Sequence, residues 1–194
     1  MNNSGLNRLP KLLLHVCCAP CSPHIFELLR EKYDVVVFFY NPNIFPEEEY
    51  ELRRDELKKF CKNIDVPFIE GKYDIEIWNE IVQGLENEPE GGKRCEMCFK
   101  MRLECAAQQA LETGCKIFAA TLTVSPHKNA AVINQIGEEA GEKFGITFLE
   151  ADFKKKDGFK KSVELSRQFG FYRQNYCGCA FSRLRFHDSG RTIK

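Results

Sequence analysis

The apolar and polar positions of this chain follow two alternating patterns. Short apolar runs predict five strands, at residues 12–16, 35–40, 66–70, 116–122 and 146–149. Longer stretches with apolar residues at helical spacing predict five helices, over residues 22–33, 46–64, 73–85, 94–113 and 130–144. Because strands alternate with helices, we expect an α/β fold with a doubly wound, mainly parallel sheet.

Several helix ends carry recognisable signals. Ser22 followed by Pro23 is typical of a helix N-terminus, with Ser22 as the N-cap. Three glutamates follow Pro46, and carboxylates interact favourably with the dipole at the start of a helix. Gly145 is expected to end the helix that begins at Ala130.

Composition and charge add an expectation about partners. Of 194 residues, 43% are hydrophobic and 29% are charged, which is ordinary for a soluble globular protein. The net charge is zero, but residues 152–194 contain 11 Lys and Arg against 4 Asp and Glu. We expect one domain over residues 1–194, with an α/β core at 1–151 and a basic, partly helical extension at 152–194 packed on it. The basic part predicts a face for a polyanion, although a solvated basic helix would have the same charge.

The cysteine count bears on the compartment. No apolar run is long enough to cross a bilayer and no signal peptide is recognisable, so we expect a cytoplasmic protein without a membrane partner. Ten cysteines in such a chain favour metal binding or redox chemistry over a disulfide scaffold.

Three groups of cysteines stand out. Cys17, Cys18 and Cys21 follow the first predicted strand, at the edge where open α/β sheets bind ligands. The start of the next helix favours thiolates, which are the metal-binding form of cysteine. Cys95 and Cys98 are three residues apart on a predicted helix and therefore share a face.

Thiols from two such segments can surround a tetrahedral metal ion or an iron–sulfur cluster. Zinc ribbons usually pair two C-x-x-C knuckles on hairpins, so the adjacent pair Cys17-Cys18 favours an iron–sulfur site over zinc. His15 is predicted to contact this site, and Tyr40, Tyr50 and Arg53 are further candidates for the same crevice.

The third group, Cys177-Gly178-Cys179, predicts redox chemistry. A disulfide across one glycine closes a small, strained ring, and strain makes such a bond labile and suited to turnover. The alternative is that these two thiols complete the metal site. The remaining Cys61, Cys105 and Cys115 lie within helix or strand patterns and are predicted to be inert, buried thiols.

These motifs together resemble the epoxyqueuosine reductases of the QueH type, across essentially the whole chain. The resemblance rests on HVCCAPC at 15–21, YNPNIFP and EYELRR within 40–54, RCEMC at 94–98, TLTVSPHKN at 121–129, DFKKKDG at 152–158 and YRQNYCGC at 172–179. It implies a fold similar to the nucleotide α-hydrolase (HUP-like) group. It also implies a cobalamin-independent enzyme that reduces the epoxide of epoxyqueuosine in tRNA.

The resemblance further implies a set of site residues. The [4Fe-4S] ligands fall on Cys17, Cys18, Cys95 and Cys98, and the redox-active pair falls on Cys177 and Cys179. Cys21 is left for a second metal, such as a mononuclear iron, or for the substrate pocket. Asp152 or a tyrosine is a candidate proton donor, and the electron donor is unidentified.

The tRNA would meet the basic extension. The candidate contacts to phosphate or to a splayed base are Lys154, Lys155, Lys156, Lys160, Lys161, Arg167, Arg173, Tyr172 and Tyr176.

Two other functions compete with this interpretation. One is an iron–sulfur tRNA-thiolating enzyme of the ATP pyrophosphatase type, but residues 16–22 lack the Gly/Ser-rich loop that such enzymes use to bind phosphate. The other is a zinc-stabilised nucleic-acid-binding module without catalysis.

Overall fold

The computed structural model describes residues 9–182 and contains one sheet of five parallel strands. The strands are β1 (Lys11–His15), β2 (Asp34–Phe39), β3 (Phe68–Glu70), β4 (Ile117–Ala120) and β5 (Thr147–Phe148). Their order across the sheet is β3-β2-β1-β4-β5, so β1 is central and the order reverses beside it. The predicted doubly wound α/β fold with a parallel sheet is confirmed, and the carboxyl end of β1 lies at the reversal, where such sheets bind ligands.

Helices cover both faces of the sheet. They are α1 (Pro23–Arg30), α2 (Glu47–Asn63), α3 (Ile75–Val82), α4 (Lys93–Glu112), α5 (Ala130–Phe144) and α6 (Gly158–Gln168). Leu12 and Leu14 of β1 point into one apolar cluster, and Leu13 points into another on the opposite face. Burial on both faces explains why this strand is a continuous apolar run rather than an alternating one.

The end of β1 differs from the expectation in one respect. The Ser22 side chain does not cap α1, because its hydroxyl donates to the Ala19 carbonyl oxygen at 2.7 Å. A 3-10 turn at Ala19–Cys21 precedes the helix, and because its first carbonyl accepts the Ser22 hydroxyl, that hydroxyl does not cap α1. The prediction for α5 is confirmed: it begins at Ala130 and ends before Gly145, whose φ is +68°.

The part of the extension that the structure describes packs on the core. One face of α6 consists of small residues four apart, Gly158, Ser162 and Ser166, and this helix contacts α1. The rings of Phe169 and Phe171 each lie 5.1 Å from the ring of Phe60 on α2. Residues 183–194 of the basic extension lie outside the described residues. Among the helices within 9–182, none has the length and apolarity needed to cross a membrane.

Candidate metal and redox site

Cys17, Cys18 and Cys21, here called the strand-end thiols, meet at the carboxyl end of β1. The sulfur of Cys18 lies 3.8 Å from that of Cys17 and 3.1 Å from that of Cys21, and all three sulfurs lie within 4.8 Å of one another. Two thiolates bound to one tetrahedral metal ion through bonds of about 2.3 Å are separated by about 3.8 Å. The three thiols are therefore close enough together to bind a metal ion.

The three thiols differ in protonation. Contacts from Cys18 and Cys21 to the sulfur of Cys17 lower the pKa of Cys17 well below the usual thiol range, and nearby Arg102 and Lys128 lower it further. The contacts with Cys17 also raise the pKa of Cys18 to about 12 and that of Cys21 well above the usual range. Without metal, Cys17 is therefore the thiol of the group that ionises most readily, and the thiol of Cys18 donates to the sulfur of Cys21.

His15 is fully buried next to this group. Its Nε2–H donates to the carbonyl oxygen of Tyr40 at 3.0 Å, which leaves Nδ1 without a partner among the described residues. Burial, reinforced by the charge of Arg102, lowers the pKa of His15 to about 3. The imidazole is therefore neutral, and its negative neighbour Cys17 only partly offsets the effect of burial.

Cys95 and Cys98, here called the α4 pair, lie in the first two turns of α4 on one face. Cys98 is buried, and the half-buried sulfur of Cys95 accepts from the backbone N–H of Gly91 at 3.3 Å. Burial raises the pKa of both thiols, to about 11 for Cys98. The α4 pair is not part of the described group whose sulfurs all lie within 4.8 Å of one another.

Cys177 and Cys179, here called the C-terminal pair, lie close to the α4 pair. Both C-terminal thiols raise the pKa of Cys95 and of Cys98, and Cys179 packs in one apolar cluster with Cys98 and Trp78. Gly178 between them has a φ of +124°, a conformation that favours glycine. The sulfur of Cys179 lies 3.4 Å from the hydroxyl of Ser182.

Buried arginines are a feature that the sequence interpretation missed. Arg102 donates to the side-chain oxygen of Asn41 at 2.5 Å, and the amide of Asn41 donates to the Val16 carbonyl at 3.0 Å. The charge of Arg102 lowers the pKa of both Cys17 and Cys98, so it acts on two thiol groups. Its position seven residues after Cys95, on the same face of α4, is the signal that could have identified it.

Arg94 secures the loop before α4. Its guanidinium, 2% exposed, donates to the carbonyls of Leu85, Glu86 and Glu88 at 3.0, 3.0 and 2.7 Å. It also lies 4.7 Å from the ring centre of Phe181. The polar loop at 86–93 is thereby tied to the first turn of α4, which carries the α4 pair.

Lys128 lies near both the strand-end thiols and the C-terminal pair. Burial lowers the pKa of its ammonium, but Cys177, Cys17 and Cys21 outweigh that effect and raise it. A charged lysine therefore lies near sulfurs of both groups, in the loop between β4 and α5.

The other residues predicted for the crevice differ in whether their side chains reach the thiols. The hydroxyl of Tyr40 donates to Asp74 at 3.1 Å and that of Tyr50 to the Gly71 carbonyl at 3.4 Å, so both phenols are engaged away from the thiols. Arg53 does reach the site, where its Nη1 donates to the Cys177 carbonyl at 3.0 Å. Cys61 and Cys115 are buried, as predicted, whereas Cys105 is half-buried.

The candidate tRNA contacts are mostly accessible. Lys155, Lys156, Lys160, Lys161, Arg167 and Arg173 are exposed. Lys154 instead pairs with Asp152, the proton-donor candidate, at 2.8 Å. The hydroxyl of Tyr172 donates to Glu49 at 3.2 Å, and the ring of Tyr176 lies 5.2 Å from the Arg53 guanidinium.

Solved structures with a similar fold have distant sequences. The chain superposes on a predicted subunit of tRNA methyltransferase from Methanocaldococcus jannaschii with a TM-score of 0.54 and 16% identity, covering 79% of this chain and 75% of that one. It superposes on the U34-tRNA thiolase NcsA of Methanococcus maripaludis, solved with its [4Fe-4S] cluster, with a TM-score of 0.53 and 12% identity, covering 94% and 65%. At these identities the likeness establishes the fold alone.

Sequence comparison is more specific. The family model for epoxyqueuosine reductase QueH matches residues 12–185. Proteins of that name are similar to this chain in Acinetobacter baylyi (45% identity, 89% of this chain and 80% of the relative), Streptococcus pyogenes (42%, 89% and 70%) and Thermotoga maritima (40%, 89% and 90%). The resemblance drawn from the motifs is confirmed: this chain belongs to the epoxyqueuosine reductase QueH family.

Proposed function

We propose that this protein reduces the epoxide of epoxyqueuosine in tRNA to the alkene of queuosine, without cobalamin and in the cytoplasm. Family membership supports the reaction. The observation that carries the proposal is the meeting of Cys17, Cys18 and Cys21 at the ligand-binding edge of the sheet. Converting an epoxide into an alkene consumes two electrons and two protons and releases one water molecule. The site must therefore provide both electrons and protons next to the substrate.

The donor set suits an iron–sulfur cluster, because cysteine thiolates are its usual ligands. We assign a [4Fe-4S] cluster to Cys17, Cys18, Cys95 and Cys98, and we leave Cys21 for a second metal, such as a mononuclear iron, or for the substrate pocket. When bound, such a cluster supplies Lewis-acid and single-electron chemistry at the epoxide.

Two features of the surrounding residues support this assignment. Positive side chains act on the thiols and offset the negative charge of several thiolates: Arg53, Arg94, Arg102 and Lys128. The buried indole of Trp78 packs in the same cluster as Cys98, and its N–H lowers the pKa of that thiol, so it would stabilise Cys98 as a thiolate ligand.

The C-terminal pair provides the reducing equivalents in this proposal. Oxidation of Cys177 and Cys179 to a disulfide releases two electrons and two protons, which balances the conversion of the epoxide to the alkene and water. An external reductant then returns the disulfide to two thiols. Lys128 keeps a positive charge near Cys177 and the strand-end thiols, and this charge helps to lower the pKa of Cys17.

A single-turnover experiment tests the pair. The holoenzyme is reduced, freed of reductant under anaerobic conditions and mixed with excess tRNA that carries epoxyqueuosine. We expect one product per enzyme molecule from the wild type, and none from the variants Cys177→Ser and Cys179→Ser, with unchanged iron content. Cys105→Ser is the matched control. Undiminished product from the two variants would overturn the role of the pair.

Phosphate contacts by the basic extension are a second testable part. Each lysine that binds a phosphate contributes about 0.9 to the slope of log affinity against log salt concentration. We therefore expect the double variant Lys160→Gln/Lys161→Gln to lower that slope by about 2. The control, Lys58→Gln/Lys59→Gln, removes two exposed lysines from the second half of α2. Equal slopes for the two double variants would contradict an interface on α6.

Two readouts decide between this function and its competitors. A thiolase of the ATP pyrophosphatase type would bind ATP tightly, whereas the turn after β1 presents thiols in place of a Gly/Ser-rich phosphate loop. A zinc-stabilised module would purify without visible absorbance or iron. Anaerobic purification followed by iron and sulfide analysis and ATP titration separates the three.

A further inference from the structure

The segment that carries the C-terminal pair lies along one face of α2. Glu49, Arg53 and Glu56 are four and three residues apart, so their side chains share that face. Glu56 accepts the backbone N–H of Tyr172 at 2.8 Å, and Glu49 accepts its hydroxyl at 3.2 Å. Side chains of α2, rather than a backbone ladder, therefore hold the start of this segment.

Arg53 makes the contact closest to the C-terminal pair. Its Nη1 donates to the carbonyl oxygen of Cys177 at 3.0 Å, while its Nε donates to Glu49 at 2.7 Å. Its guanidinium also lies 5.2 Å from the ring centre of Tyr176. The side chain is only 1% exposed, so these contacts replace the water that a guanidinium normally binds.

Gly178 fits tightly against the same guanidinium. A Cβ at Gly178 would lie 3.0 Å from Nη1 of Arg53 and 3.1 Å from a side-chain carbon of Ile44. The carbonyl of Gly178 accepts the backbone N–H of Phe45 at 2.9 Å. The segment is thus enclosed between α2 and the loop that precedes it.

We propose that Arg53 is a positioning residue that holds the C-terminal pair against the thiol site, and that Glu49, Arg53 and Glu56 form the docking surface for residues 172–179. The inference rests on the redox role assigned to the pair in the proposed function. A guanidinium suits this task because its several N–H groups bind the Glu49 carboxylate and the Cys177 carbonyl at the same time. The single ammonium group of a lysine would do this less well. When the segment is undocked, the pair is away from the substrate, and the rate of turnover falls in proportion to the undocked fraction.

Hydrogen exchange of the holoenzyme tests the docking directly. The Phe45 amide is protected by Gly178, so its exchange rate reports undocking, as does that of the peptide covering 172–182. In Arg53→Gln we expect both to exchange about tenfold faster, the factor associated with losing one hydrogen bond from a charged donor. Arg53→Lys should lie between Arg53→Gln and the wild type. Arg54→Gln, which removes the neighbouring, more exposed arginine, should match the wild type.

Gly178→Ala tests the contact between Arg53 and the C-terminal segment by changing the segment instead of the arginine. It tests the docking also if Arg53→Gln fails to fold. We expect it to accelerate exchange of the Phe45 amide as well. Unchanged exchange in Arg53→Gln and Gly178→Ala would overturn the inference.

Kinetics separate a positioning role from a general structural one. Because Arg53 is buried against the protein's own segment, Arg53→Gln should lower kcat by a larger factor than it raises KM for the tRNA, with partial rescue in Arg53→Lys; KM can rise because Tyr172, Arg173 and Tyr176 of the segment are candidate tRNA contacts. A raised KM with unchanged kcat would overturn the positioning role. If exchange accelerates while Cys177→Ser retains full single-turnover activity, the docking stands and the redox part of the proposed function fails.

Discussion

The strand-end thiols and the C-terminal pair are both cysteine groups of the proposed site, but the protein holds them by different means. The strand-end thiols follow β1, which is hydrogen-bonded to β2 on one side and to β4 on the other. The C-terminal pair lies between α6 and a helical turn at 180–182, in a stretch without helix or strand that side chains of α2 hold. One group is placed by backbone pairing, and the other mainly by a few side-chain contacts and one backbone hydrogen bond.

Because of this difference, substitutions near the two groups should have different effects. A ladder of backbone hydrogen bonds survives most side-chain substitutions, so changes near the strand-end thiols should alter reactivity without moving the backbone. The C-terminal segment depends on individual donors and acceptors, so single substitutions there should alter its position. Three substitutions, in order of decreasing effect, can break or sharpen this contrast.

The largest effect is expected from Cys18→Ala. Losing a hydrogen bond that supports a metal ligand typically lowers metal affinity by about 10- to 100-fold. Losing the ligand itself should cost more, so we expect metal affinity to fall by more than about 100-fold and turnover to fall with it. Circular dichroism of the metal-free variant should match the wild type, because the ladders of β1 are intact. The control, Cys61→Ala, removes a thiol that is equally buried, and it should retain its iron. Normal iron content in Cys18→Ala would remove this cysteine from the metal site.

An intermediate effect is expected from Arg102→Met. It deletes the charged donor to Asn41 and should lower the free energy of unfolding by about 2 kcal/mol. Because Arg102 lowers the pKa of Cys17, its loss raises that pKa and reduces the thiolate fraction at neutral pH. The pH profile of Cys17 alkylation in metal-free protein should therefore shift to higher pH. Arg102→Lys, which keeps the charge, should shift it less; equal profiles for all three proteins would refute the electrostatic link.

The smallest effect is expected from Ser182→Ala. The Ser182 hydroxyl lowers the pKa of Cys179, although burial raises it overall. Removing the hydroxyl should raise the pKa further and slow alkylation of Cys179 at pH 8.5 by a few fold, because a neutral hydrogen bond contributes about 1 kcal/mol. Mass spectrometry of the alkylated protein measures this, with Ser22→Ala as the control at the other thiol group. Faster alkylation would instead mean that Ser182 holds the segment in place.

The fold was largely predictable, for physical reasons visible in single elements. Leu12 to Leu14 form an unbroken apolar run because both faces of β1 are buried, and the ends of α5 coincide with the predicted ones because Gly145 adopts a left-handed conformation there. The Ser22 cap was wrong because a hydroxyl can donate to a preceding carbonyl as readily as it can accept from a following N–H.

The site was predictable in part. The spacing of Cys17, Cys18 and Cys21 predicted that they lie together, which the structure shows, whereas a cluster shared with Cys95 and Cys98 stays a prediction. Arg53 was a candidate for the crevice, but Arg102 was missed because arginines are usually exposed and only its position after Cys95 on α4 is a local signal. The contacts of Arg53 with Cys177 and of Arg102 with Asn41 join residues 124 and 61 positions apart, and such pairs form only when the elements pack.

The unequal protonation of the strand-end thiols has a consequence for loading the site. Cys18 and Cys21 have raised pKa values, so at neutral pH they hold protons that any incoming cation must displace. A metal ion that binds either of these sulfurs therefore displaces a proton from it, so its apparent affinity should fall as the pH is lowered. The backbone hydrogen bonds of β1 do not involve these protons, so the sheet should stay folded while metal is lost.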